Sequence, residues 1–478
     1  MKSISYILLF FTLVVLIFSC ERERFITDSD ASISFSIDTL YFDTVFTSLG
    51  TATRSFTIHN PHKDFISISE LSLAKAENSV FRINVDGVPG VFFHDIDIAP
   101  GDSLYVFVDA TLDPNNSDEI LLQQDSIVTI TNGKVQDIDL VAWGQDVHLL
   151  RAYTVPNDTT WVNDKPYLII DYLLVDSSAA LTMDPGVRVY LHRDAIFAIQ
   201  GNLVANGTLE EPISFQGDRL EEFYDDFPGQ WGGIVFVGSS QDNLMNYVEI
   251  KGATFGINII STFIESPKLS FHNSIIKHIS STGIIANGSS VDAHNSLIVN
   301  CGSGSIALFG GNHNFNHCTI ANSWGWLPPR SNPSVVLTNY YIEEDDKGEK
   351  QMIIKDLEKA YFGNSIIWGN HSNELFIDDS MDIDQNPNGG LLNYHFENCV
   401  GKFDPVEDSL MLDNFPGLIQ EDPLFISWDE YDFKLDTLSP AKDAGNIDIG
   451  LLYPLDLNGN SRTSDSGPDI GAYERIED

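Results

Sequence analysis

Two segments of this 478-residue chain overlay at a spacing of 22 residues: His272-Asn273-Ser274-Ile275-Ile276 and His294-Asn295-Ser296-Leu297-Ile298. A third, Asn316-His317-Cys318-Thr319-Ile320, follows at the same spacing. Looser copies flank them, at Asn246–Ile250, Asn364–Ile367 and Asn398–Val400. A fixed period in the low twenties without helical periodicity inside it predicts a solenoid of stacked β-coils. Alternate side chains of a strand share a face. Ser274 and Ile276, Ser296 and Ile298, and Cys318 and Ile320 are therefore expected in the bore, with Ile275, Leu297 and Thr319 outside. Asn273 and Asn295 are expected to bond to each other along the axis as an asparagine ladder.

The period also assigns the cysteines. Cys318 and Cys399 occupy the position held by Ser274, Ser296 and Ser365, two coils apart if Ser365 stands between them. At a strand spacing of ~4.8 Å that is about 9–10 Å, too far for a disulfide. They are expected as small buried residues and not as catalytic thiols. His272 and His294 align between coils, and no paired-histidine zinc motif surrounds them. They are expected as a stacked outward pair.

Charge narrows the partners. With 69 acidic against 26 basic residues the net charge is −43, which argues against nucleic acid and anionic membrane surfaces. Lys2 and the apolar run Ile7–Phe18 read as a signal segment too short to span a bilayer. Leu16-Ile17-Phe18-Ser19-Cys20 resembles a bacterial lipobox. That resemblance implies removal of residues 1–19, lipidation at Cys20 and a place in the cell envelope, the outer membrane of a Gram-negative bacterium. The membrane would then be met through the lipid anchor alone.

Residues 20–32 read as a polar tether and 33–146 as short alternating strands separated by Asn60-Pro61, Pro100-Gly101-Asp102, Asp113-Pro114-Asn115 and Asn132-Gly133. This stretch, with its closing Val141-Ala142-Trp143-Gly144, resembles the immunoglobulin-like β-sandwich modules of bacterial surface proteins. From residue 147 to about 420, Leu181–Val187, Ile199–Thr208 and Gln230-Trp231-Gly232-Gly233 resemble the opening coils of bacterial right-handed parallel β-helix proteins. Residues 421–478 carry Leu438-Ser439-Pro440-Ala441-Lys442-Asp443-Ala444-Gly445 and Asp469-Ile470-Gly471-Ala472-Tyr473-Glu474. They resemble the tail of surface-anchored members of that family and are expected as a cap. The fold class expected is all-β.

The resemblance implies fold more than activity. Parallel β-helices carry polysaccharide lyases, hydrolases and uronate epimerases. A lyase needs a cation for the uronate and a base for the C5 proton. From Met245 to Val400 the cations are Lys251, Lys268, Lys277, Arg330, Lys347, Lys350, Lys355 and Lys359, the last four expected on a hairpin. A hydrolase needs two carboxylates across a groove, and no paired-aspartate signature of the β-helix pectinases is present. Asp225-Asp226 and the run Asp378–Asp384 read as solvated loops, with calcium capture as the alternative. No catalytic residue is assigned, and a binding or scaffolding role at the cell surface, toward polysaccharide or another surface protein, is preferred to an enzyme.

The register breaks at an insertion, 324–361, which carries the candidate ligand-binding residues Trp324, Trp326, Tyr340 and Tyr341. Packing of these rings on the solenoid wall is the preferred alternative to sugar stacking. Val335–Glu343 and Lys350–Leu357 are its expected hairpin. Asp456, Asn458 and Asn460 around Gly459 form a candidate calcium loop without the EF-hand's closing Glu, or a plain turn. Calcium is the one cofactor suggested.

Overall fold

The computed structural model describes residues 24–238, 240–260, 268–344, 347–379, 389–403 and 413–476. Cys20, the signal segment, and residues 380–384 of the acidic run lie outside them. The chain divides into two compact units, 1–146 and 147–478.

In the first unit two five-stranded sheets enclose one core. One sheet holds Ser34–Phe35, Arg54–His59, Phe81–Val85, Val88–Gly90 and Ser103–Ala110. The other holds Thr39–Phe46, Ile66–Leu73, Phe92–Ile98, Leu121–Thr131 and Lys134–Gln145. Alternation puts Phe56, Ile58, Val106 and Val108 inward against Leu71, Ile127 and Leu140. Within the two sheets the described strands pair antiparallel except Thr39–Phe46 with Lys134–Gln145. Part of the expected tether is not free. Phe25 bridges Phe65, Ile26 N–H donates to Phe65 O at 2.9 Å, and Ala31 is buried.

The second unit is a right-handed parallel β-helix: 24 strands follow one another in a single parallel sheet system whose coils pair with the coils above and below. Each coil has three faces. In one coil these are Leu269–His272, Ile275–Ile279 and the first part of Ile284–His294. Ile275 pairs with Leu297 and Leu297 with Thr319, which is the 22-residue register. The corner between the first and second faces is a single left-handed residue. Tyr247, Asn273, Asn295, His317, Asn364 and Asn398 sit there with φ from 46° to 49°. Asn tolerates that conformation best among residues with a side chain, a second reason for the repeated asparagine.

The bore is one continuous apolar column. Ile276, Ile298, Cys318, Ile320, Ile367 and Cys399 line it, and Phe315, Phe362, Phe396 and Phe415 stack down it at 4.7–5.0 Å between ring centres. All three described cysteines are free and buried, and burial pushes each thiol up to about 12. The ladder runs from Asn206 through Asn246 and Asn273 to Asn295, with N···O distances of 2.9, 2.7 and 3.1 Å.

The tail departs from expectation. Phe415 and its neighbours close the last coil: Phe396 N–H donates to Asn414 O and Asn398 N–H to Pro416 O. From about residue 421 the chain runs back along the outside of the second face. Leu297, outward as expected, is buried with Val299 and Ala321 under Phe433, Leu457 and Ala472. Ile366 and Val400 are buried under Leu435, Ala441 and Ile470. Each such large apolar side chain contributes about 1.5–3 kcal/mol when removed from water.

The tail's motif residues make the clasp. Arg462 is fully buried and ion-paired with Glu474 at 3.2 Å. Its second amino group donates to Gly471 O, Ala472 O and Asn295 Oδ1, the end of the ladder. Asp469 accepts from Asp443 N–H and Arg475 N–H at 2.7 Å each. Gly471, at φ 111°, brings the tail backbone so close that a Cβ there would lie 2.8 Å from Ile366 Cδ1 and 2.9 Å from Thr319 Oγ1. Ala472 N–H donates to that Thr319 hydroxyl at 2.9 Å.

Breaking a buried pair on one side leaves an uncompensated charge and costs about 3–5 kcal/mol. Urea unfolding followed by tryptophan fluorescence should show a loss of that order for Arg462→Ala. The double variant Arg462→Met/Glu474→Leu should recover most of it. A loss below about 0.5 kcal/mol, the level of an ordinary surface change, would mean the pair does not hold the tail.

Candidate functional site

Two insertions leave the β-helix at one corner, between the second and third faces. Residues 218–232 leave the stack after Ile213–Gly217 and rejoin it at Gly233–Phe236. Residues 323–334 leave after Thr319–Asn322 and rejoin at Val335–Thr338. Four coils separate the two departures, roughly 19 Å at one strand spacing per coil. Because both loops leave on the same side they meet: Trp326 packs edge-on against Phe227 at 5.1 Å. Phe227 in turn contacts Phe223 and Tyr224, both at 5.9 Å. Phe223 is 73% exposed, Leu327 88% and Trp326 36%. Arg219 lies over the Tyr224 ring at 4.2 Å. A small cavity of about 80 Å³ adjoins the platform, lined among others by Arg219, Tyr224, Asp225, Gln230 and Lys251.

Beneath the platform the corner is polar and strained. His278 and Asn300 occupy left-handed conformations at φ 56° and 51°, which orients both side chains to the same side. Asn300 Nδ2 donates to His278 Nδ1 at 2.7 Å, so the neutral imidazole carries its proton on Nε2 and donates it to Asp226 Oδ1 at 3.1 Å. Tyr431 of the tail closes edge-on over the imidazole at 4.7 Å. Burial pulls the His278 imidazolium down to about 4, with the Asp226 carboxylate opposing. Lys251 pairs with Asp225 and, through that hydrogen bond, holds its carboxyl below the usual range. Lys277 pairs with Glu249 at 2.9 Å and Arg219 with Glu221 at 2.8 Å.

The second loop is anchored by an ion pair. Arg330 and Glu374 are buried and bidentate, at 2.7 and 2.5 Å. Glu374 also accepts from Ser334 N–H, Ser334 Oγ and His371 N–H. Arg330 is thus a fastener and not part of a cationic wall. Lys268 is likewise buried, donating to Val237 O and Ile260 O, and desolvation lowers its ammonium to about 8.

The four candidate ligand-binding aromatics stand in separate places. Trp324 is buried, its Nε1 donating to Pro328 O at 3.0 Å, while Trp326 alone joins the platform. Tyr340 and Tyr341 belong to a hairpin, Tyr340–Glu344 with Lys350–Ile354, that leaves at a different corner, between the third and first faces. Tyr340 donates its hydroxyl to Asp378. The single insertion expected over 324–361 is therefore two excursions. Val335–Thr338 and Leu357–Gly363 remain strands of the stack, and Lys359 stands on the latter, not on the hairpin. Asp379 bonds to Asn339 at 2.8 Å. Asp456 is fully buried and organises its own turn: Oδ1 accepts Asn458 N–H and Asn460 N–H, and Oδ2 accepts Asn460 Nδ2 and Glu474 N–H. Sequence reasoning missed Phe223, Tyr224 and Phe227. Their signal was the aromatic run in the polar segment Glu221–Gly229.

Residues 153–263 match the family model described as a pectate-lyase-like β-helix domain. The second unit has the β-helix repeat fold. No curated protein matches the chain. A family 123 glycoside hydrolase from Clostridium perfringens, described for glycolipid glycan hydrolysis, aligns over 25% of this chain and 26% of its own length. The identity is 9% and the TM-score 0.18, too small a likeness to bear on fold or function.

His278 supplies a pH test. Its folded value near 4 lies below the unfolded ~6.5, so the unfolded state binds the extra proton between those values. The His278 contribution to stability should be flat above pH ~6.5 and fall as pH drops toward 4. His278→Gln should flatten part of that fall in a melting-temperature series. An unchanged slope would show that His278 does not titrate in this window.

Proposed function

We propose that this chain is a lipid-anchored cell-envelope protein whose β-helix binds carbohydrate at the bacterial surface. The observation that carries the binding reading is the ring platform Phe223–Tyr224–Phe227–Trp326, assembled from two loops four coils apart with two of its rings open to water. Open aromatic faces beside a polar cavity suit sugar rings, whose C–H faces stack while hydroxyls reach hydrogen-bonding groups. Lys251, Lys277 and Arg219 are each already paired with a carboxylate. The site therefore favours a neutral glycan over a polyanion. The lipobox-like Leu16–Cys20 supports the anchor, and the family model describes the fold in terms of pectate lyases.

One observation favours an enzyme as the second reading. Asp225 and Asp226, adjacent and exposed at the rim, are each held by a nitrogen base, Lys251 and His278. Oriented carboxylates beside a sugar platform are what acid–base chemistry requires.

A glycan array on the purified chain, with product analysis on the same polysaccharides, tests both. Binding without product release supports the first reading and product release the second. Each of Trp326→Ala and Phe223→Ala should lose about 0.5–1.5 kcal/mol of affinity, roughly 2- to 12-fold, with unchanged circular dichroism. Full affinity in the double variant would place the ligand elsewhere.

A further inference from the structure

On the first face, away from the corner that carries the platform, three potential ligands share one patch. Asp292 and His294 are two residues apart on Ile284–His294 and so project to the same side. His272, on Leu269–His272, is paired in parallel register with His294. One ring nitrogen from each histidine and one Asp292 carboxylate oxygen lie within 4.8 Å of one another. We propose that His272, Asp292 and His294 form a binding site for a divalent transition-metal ion of the zinc class.

Two independent features support the site. First, the register makes it rigid: Asp292 and His294 continue into Asn314 and Asn316 of the next coil, and none of these positions is on a loop. Second, the His272 ring bonds within the donor set, Nε2 to Asp292 Oδ2 at 3.2 Å. His294 Nδ1 is buried without a hydrogen-bond partner. An unsatisfied buried ring nitrogen costs free energy in a structure that otherwise pairs its polar atoms.

The donor set selects the ion. Two imidazoles and one carboxylate suit zinc, cobalt or iron(II), whereas calcium and magnesium take oxygen ligands. Small rotations would place each donor at about 2.0–2.2 Å from a central ion. Three protein ligands leave a fourth position for water or a ligand atom, the arrangement of catalytic and not of closed structural zinc sites. His272 and Asp292 keep 21% and 30% of their side-chain surface accessible, so an ion can enter. Tyr453 of the tail stacks on His294 at 4.5 Å and its hydroxyl accepts from Asn316 Nδ2 at 3.4 Å. The tail thereby supplies one wall and fixes the ring that the ion needs.

Calorimetry of the chelator-stripped chain with zinc chloride at neutral pH should show one ion bound per chain. Cobalt(II) should produce the visible bands of a low-coordinate histidine site. Asp292→Asn and His294→Gln should each weaken zinc about tenfold or more and abolish the cobalt bands, while His371→Gln leaves both unchanged. Should Asp292→Asn or His294→Gln fail the circular-dichroism check, His272→Asn, at the more accessible edge, takes its place. Absence of zinc uptake by the folded wild type, or uptake undiminished in the ligand variants, would overturn the site.

Discussion

One left-handed residue per coil governs this molecule. At Tyr247, Asn273, Asn295, His317, Asn364 and Asn398 the chain turns from one sheet to the next in a single step. A corner that short leaves no slack, so every coil starts its second face at the same point. A slip by one residue would turn the bore residues outward. The columns follow from this: serine and cysteine below the corner, the phenylalanine stack along the bore, and the asparagine ladder outside it. The proposed metal ligands are another product of the same register, since His272 and His294 are one column and Asp292 belongs to the next.

The tail converts a repeating surface into a particular one. Its buried Arg462–Glu474 pair joins the end carbonyl of the ladder at Asn295, and Gly471 lets the backbone lie on Thr319 and Ile366. The later coils of the second face are thereby covered. Function is left to the corner where two loops meet and to the first face beside Tyr453. Tyr431 and Tyr453, both from the tail, pack on His278 and His294, one at each location.

Much of this was legible in the residues. Asn273 and Asn295 bond as expected, and Cys318 and Cys399 sit in the core as the period requires. The outward residues Ile275, Leu297 and Val299 held a clue that periodicity alone left unread. Apolar side chains on an outer face need a cover, and the cover is the tail. The insertion was read as one body because Val335–Thr338 lies between two loops, and its four residues carry too little pattern to announce a return to the stack.

What the sequence by itself determined is the coil: its length, its inward and outward sides, and its ladder. These depend on neighbours one period apart, and a repeat carries that information in its own spacing. Only the tertiary structure decided the sites. Phe227 and Trp326 are 99 positions apart and Asn295 and Arg462 are 167 apart. Such contacts depend on the direction in which loops and tail leave the stack. That direction is set by which corner an insertion occupies and by what remains to be buried, and neither quantity is local in the chain.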